Sequence, residues 1–181
     1  MTAGDALEWI GRLGEVPPGQ GMLLAVGAFV GLWAPDVDLW VIRLLHHRSI
    51  LTHSVLLPFL VMWALPQLGP AAVSGAFLGV AVHMAADLLS PSHGFGRIWL
   101  PEPLQVSLGR WSALWLMLNA LAASWLAVEV LPRGEGWPVL AAVVGAVAAV
   151  SYGLRKERSV LSALVALGVV AAGHAPGWGL G

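Results

Sequence analysis

The chain has 181 residues, 58% of them hydrophobic and only 10% charged, with a mean hydropathy of +0.80 and a formal net charge of −1. Soluble domains carry about 25% charged residues, so this balance excludes an ordinary soluble fold, and the near-neutral charge offers no field for nucleic acid. There is no cysteine, which excludes disulfides and thiolate ligands and leaves imidazole, carboxylate and water to hold any metal.

Met1 to Gly14 lacks the basic opening of a cleaved signal and carries Asp5, Glu8 and Arg12. Leu7, Trp9, Ile10 and Leu13 suit a short interfacial helix; a frayed tail is the equal alternative. A spanning helix needs about 20 apolar residues. The first candidate runs from Gln20 to Ala34, behind Pro17-Pro18-Gly19, and ends at Pro35. Val37 to Leu45 is too short to span and reads as a short helical or re-entrant piece at the interface. The second span covers Ile50 to Leu68, with Pro58 and Pro66 inside or near its end. The third covers Ala71 to Ser90, where Gly75 and Gly79 form a G-x-x-x-G suited to close helix packing.

Residues 91–110 form a polar and aromatic loop. Trp111 to Leu131, Trp137 to Gly153 and Val160 to Ala172 give the fourth, fifth and sixth spans. Trp111, Trp115, Trp125 and Trp137 lie near span ends, partly as an aromatic belt requires. The expected fold is an all-α, polytopic transmembrane helical bundle of about six spans, with a short interfacial helix after the first. Residues 1–181 form a single integral-membrane domain, with motifs in 19–110 and apolar accessory helices in 111–181.

Loops after the first, third and fifth spans hold seven basic residues, Arg43, Arg48, Arg97, Arg110, Arg155, Lys156 and Arg158, against two, Arg12 and Arg133, on the other side. This bias puts the odd-numbered loops in the cytoplasm. Asp36, Asp38, His46, His47, His53, His83 and Asp87 then fall on one side. At a rise of ~1.5 Å per residue, Asp87 and His83 sit only ~5 and ~10 Å below the end of the third span. Three segments thus bring ligand-type residues to a common depth.

His83 and Asp87 are four apart on one helix face, where imidazole and carboxylate suit zinc, manganese or iron(II). A hydrogen-bonded pair tying helices together is the alternative, but ionisable groups at membrane depth mark function. Asp36 and Asp38 share a face only in extended chain; either would also cap a helix at Leu39 to Leu45. His53 lies in T-H-S, where Thr52 and Ser54 would fix its tautomer, unless it is a satisfied core histidine. Arg48 would stabilise developing negative charge, and serves equally as a topology determinant. Of His46 and His47, only one can face a site, and His47 is preferred. His93 either reaches the site or is solvated, and His174 belongs to the far side. The candidate set is therefore Asp36, Asp38, His53, His83 and Asp87 for a metal, with Arg48, Asp38 and His47 for catalysis.

The motifs P-D-V-D-L, H-R-S-I-L-T-H-S, H-M-A-A-D-L-L-S-P and G-F-G-R-I-W-L-P resemble the bacterial membrane-bound metal-dependent hydrolase family. That family includes proteins described as LexA-binding and inner-membrane-associated. The resemblance covers roughly Gly19 to Pro101. It implies a multi-pass inner-membrane protein whose metal positions correspond to Asp36, Asp38, His53, His83 and Asp87. Gly19-Gln20 stands where the family often has Thr-His, and H-R-S-I-L-T-H is one residue longer than the family's motif.

The function expected is that of an integral-membrane hydrolase dependent on a divalent metal, zinc or manganese, at the cytoplasmic face. Candidate substrates are a phosphoester or another amphiphilic, lipid-like molecule, so the partners are membrane lipid and a small-molecule or lipid substrate. No glutamate is expected in the cluster, which leaves an aspartate or the ion itself as base. Two other classes compete: a metal or proton transporter, and a non-catalytic, metal-stabilised interaction protein of the membrane.

Overall fold

Pro17 and Pro18 set the start of the first long helix, because proline lacks the N–H that a helix interior needs but a first turn does not. The computed structural model describes residues 8, 10–45, 47–89 and 96–175, and among these the regular elements are helices. They are α1 (Pro18–Trp33), a 3-10 helix (Ala34–Val41) running into α2 (Ile42–Leu45), α3 (Leu56–Ala64), α4 (Gly69–Asp87), α5 (Ser112–Glu129), α6 (Gly136–Arg155) and α7 (Val160–Gly173). The protein is a helical bundle.

Among the described residues, four helical stretches are long and apolar enough to cross a membrane: Pro18–Leu45, Pro66–Asp87, Gly109–Glu129 and Gly136–Arg155. The expected second and sixth spans are shorter helices, of nine and fourteen residues. In the second, residues 47–55 are drawn into turns around Asp38, and the helix stops at Leu65, just before Pro66. Residues 54–68 still traverse the length of α4. They leave His53, beside the last turn of α4, and arrive at Gly69, its first residue, about 27 Å away at 1.5 Å per residue.

α4 is the central helix. Fifteen of its nineteen residues are buried, so it is apolar all round and not on one stripe. α1, α5, α6 and α7 pack around it. Phe77, Leu78, Met84 and Leu116 are fully buried, while Met22, Phe29, Trp40, Trp63 and Leu164 point outward, as lipid-facing side chains do. Trp115 and Trp137 depart from the belt expectation. Trp137 is buried against Val16, and the Trp115 indole donates to the His53 carbonyl at 2.8 Å.

α1 and α4 run parallel with their backbones in contact. A Cβ on Gly27 or Gly31 would strike the carbonyl oxygen of Ala72 or Ala76; one on Gly75 or Gly79 would strike that of Leu24 or Ala28. Two G-x-x-x-G stripes therefore interlock, the expected one on α4 and a second, Gly27 and Gly31, on α1. Without a hydrophobic drive between helices in lipid, such van der Waals approach is a main source of association. In thermal unfolding of detergent-purified protein, Gly79→Ala is expected to cost ~1–3 kcal/mol, as overpacking does. Gly168→Ala, on α7 with open space around it, is expected to be neutral or stabilising; equal midpoints for the two variants would show that the glycine contact does not hold the bundle.

Candidate metal centre

The parallel pairing of α1 and α4 sets their C-terminal ends side by side, and the centre begins there. Beyond α1 the chain winds as a 3-10 helix, in which the Leu32 carbonyl would pair with residue 35. Pro35 has no N–H to give. That carbonyl instead lies 2.8 Å from His83 Nδ1 on α4. A carbonyl only accepts, so the proton resides on Nδ1 and the Nε2 lone pair is free. The Tyr152 hydroxyl, from the last turn of α6, lies 2.9 Å from the same Nδ1.

Asp38 organises the second segment. It is fully buried, and its Oδ2 accepts from the Ser49 N–H at 3.1 Å and from the Thr52 hydroxyl at 2.8 Å, while Oδ1 lies 3.2 Å from His47 Nδ1. Thr52 donates its one proton to an oxygen, so toward His53 Nδ1, 3.1 Å away, it accepts. His53 is thus also protonated on Nδ1 and presents a bare Nε2, through the carboxylate-to-histidine relay that commonly orients metal ligands. His53 precedes α3, outside the span-length helices; burial lowers its pKa, against Asp87, and so favours the neutral, ligating imidazole.

Arg48 adopts a positive φ of 62°, unusual for a side-chain-bearing residue. The turn is held by its surroundings. The Trp99 N–H donates to the Arg48 carbonyl and the Ile50 N–H to the Trp99 carbonyl, both at 2.9 Å. Arg48 itself is buried, with Nε 2.8 Å from Asp87 Oδ2. On the α5 side, the Asn119 side chain accepts from the Val55 N–H at 3.1 Å.

These supports leave two buried nitrogens, His53 Nε2 and His83 Nε2, without a hydrogen-bond partner. Asp87 Oδ2 lies 3.5 Å from the first and 3.7 Å from the second, and Asp36 Oδ1 lies 3.8 Å from His83 Nε2. All are too long for hydrogen bonds. Ligand atoms of Asp36, His53 and His83 lie within 4.8 Å of one another, a group that could hold a metal ion. Two imidazoles, one carboxylate and an open position suit a divalent ion that does chemistry. An adjoining cleft of about 50 Å³ is lined by Asp36, His47, Arg48, Asp87, Tyr152, Lys156 and Glu157 among others. Water occupies about 30 Å³ in the liquid, so the cleft takes an ion's waters and no large ligand.

Of the residues singled out from sequence, Asp36, His53, His83 and Asp87 converge. Asp38 lies behind the group: its oxygens are taken up by His47, Ser49 and Thr52. His47 and Arg48 line the cleft, but Arg48 is committed to Asp87. His46 and His93 lie outside the described residues. His174 ends α7 at the opposite end and sits 2.8 Å from the Val170 carbonyl. Sequence reasoning missed Tyr152, Lys156 and Glu157, and the expectation of a cluster without glutamate fails. Glu157 is buried at the cleft, its Oε2 unpartnered. A signal existed: the loop after the fifth span shares the site's side, and Tyr152 is the sole tyrosine.

Comparison with family models, with curated proteins and with solved structures finds no match. The geometry therefore carries the functional reading. Metal analysis of detergent-purified protein is expected to find zinc or manganese bound, lost from His83→Ala and His53→Ala and retained by His174→Ala. All three variants should unfold cooperatively, since apolar packing holds the bundle. Full metal content in His83→Ala would reduce the cluster to a hydrogen-bonded plug.

Proposed function

We propose that the protein is an integral-membrane, divalent-metal-dependent hydrolase acting on a phosphoester or related ester at the cytoplasmic face of a bacterial inner membrane. The observation that carries this reading is the pair of buried Nε2 atoms, each freed by a proton fixed on Nδ1, facing Asp36 and Asp87. Most buried side-chain polar atoms have a hydrogen-bond partner; these two do not, and unlike the equally unpartnered His174 Nε2 they face carboxylate oxygens within 4 Å. The resemblance of the P-D-V-D, T-H-S and H-M-A-A-D motifs to the membrane-bound metal-dependent hydrolase family supports the same chemistry.

Asp36, His53 and His83 would hold zinc or manganese. Such an ion supplies Lewis acidity, polarising the scissile bond and acidifying water. The chain's own residues do the rest. Asp38 and Thr52 hold the His53 ring; the Leu32 carbonyl and Tyr152 hold His83. Arg48 fixes Asp87 beside both rings. Glu157, unpartnered at the cleft, takes the proton of an entering water, and Lys156 draws an anionic group toward the mouth. Placement of the centre at one end of the bundle, and not at mid-depth, favours hydrolysis over transport.

Hydrolysis of amphiphilic phosphate esters should require zinc or manganese and stop with EDTA. Glu157→Gln should lower turnover by ~10²–10⁴, the usual contribution of a general base, with metal content unchanged. Turnover indifferent to EDTA would rule out the mechanism. The basic bias supports a cytoplasmic site, so a reporter fused after Gly134, in the loop at the opposite end, is expected to read periplasmic; a cytoplasmic signal would invert the orientation.

A further inference from the structure

Beside the cleft lies an apolar groove of about 490 Å³ along α1 and the Ala34–Val41 helix, lined by Phe29, Val30, Trp33, Val37 and Trp40. Cleft and groove adjoin: Asp36, Leu39 and Lys156 line both. We propose that this groove seats the hydrocarbon chain of a membrane-derived, single-chain amphiphile, and that Lys156 anchors its phosphate or similar anionic head at the mouth of the metal centre. The inference rests on the hydrolytic reading of that centre and names the substrate class it takes.

Three observations select this occupant. First, the groove opens outward: Phe29 is 64% and Trp40 87% exposed on a span-length helix, so what enters comes sideways from the bilayer. Second, the cleft admits only an ion's worth of space, so any substrate chain must lie outside it. The groove is the adjoining apolar room, and its size falls in the range of about 300–1,000 Å³ that buries one ligand. Third, charge sits at the seam. Lys156 Nζ lies 4.9 Å from the Trp33 ring centroid and 3.9 Å from Asp36 Oδ2. The latter distance is too long for a hydrogen bond, so its donors can turn to an anionic head. A larger apolar groove beside α3, lined by Leu56, Leu60 and Trp63, touches none of these charged groups.

The full chain in bilayer nanodiscs, with EDTA present to prevent turnover, is titrated with oleoyl lysophosphatidate, glycerol 3-phosphate and oleoyl glycerol. Lysophosphatidate is expected to bind at least roughly tenfold more tightly than either part, a gain of about 1.4 kcal/mol or more. Val30→Trp should fill the groove, lose roughly that tenfold for lysophosphatidate, weaken oleoyl glycerol as well and spare glycerol 3-phosphate. Lys156→Ala, at a half-exposed position that leaves the fold untouched, should weaken lysophosphatidate and glycerol 3-phosphate but not oleoyl glycerol. Leu60→Trp, in the other groove, should change nothing. Wild-type affinity in both Val30→Trp and Lys156→Ala, or equal binding of lysophosphatidate and oleoyl glycerol, would overturn the proposal and leave the groove filled by bulk lipid. Zinc content, measured separately without EDTA, should match wild type in all three variants. A wild type that binds no zinc or manganese would sink the hydrolase reading, while the titrations still decide the groove.

Discussion

Everything at the polar end depends on the backbone contact between α1 and α4. Four glycines, Gly27, Gly31, Gly75 and Gly79, let the two helices meet where any Cβ would collide with a carbonyl. Contact this close fixes the axial register of the pair. Register in turn puts the Leu32 carbonyl opposite His83 and brings Asp36, on the 3-10 helix, to 3.8 Å from His83 Nε2. A shift of one residue would move these groups by about 1.5 Å along the axis, enough to break a 2.8 Å hydrogen bond. Packing of the smallest side chains thus decides where the most polar ones stand.

The polar network has a layered logic. Its outer groups are fully used: Asp38 by Ser49, Thr52 and His47, and Leu32 by His83. Its inner groups, the two Nε2 atoms, are not. A network serving only stability would close on itself, because an unmet buried polar atom costs about 1–3 kcal/mol. Here the supports are satisfied and the inward nitrogens are left bare, facing the oxygens of Asp36 and Asp87. That pattern is what a ligand-binding centre requires, with orientation set in advance by groups that do not themselves bind.

α6 links the centre to the bilayer. Its last turn brings Tyr152 to His83, and the residues just beyond put Lys156 between Asp36 and the Trp33 ring and Glu157 at the cleft. One short segment therefore touches the buried histidine, the polar mouth and the apolar flank. Its serviceability comes from α6 running parallel to α1 and α4, so that three helix ends meet at one depth.

Composition and spacing were enough to determine a membrane helical bundle, the side on which the ligand-type residues gather, and the convergence of Asp36, His53, His83 and Asp87. These are one-dimensional properties: hydropathy sets which segments are apolar, the order of apolar segments sets which loops share an end, and a four-residue interval sets a helix face. Tertiary structure alone decided the rest. Asp38 and Asp36 are two residues apart and look alike in the chain, yet one supports and the other faces the histidines, because the 3-10 winding at Pro35 turns them differently. Arg48 reads as free to meet substrate until its left-handed turn delivers it to Asp87. Glu157 and Tyr152 lie about fifty residues or more beyond the last motif, and no local pattern announces a partner that distant in sequence. Which side chains touch depends on helix register, and here that register is set by glycine contacts that hydropathy does not encode.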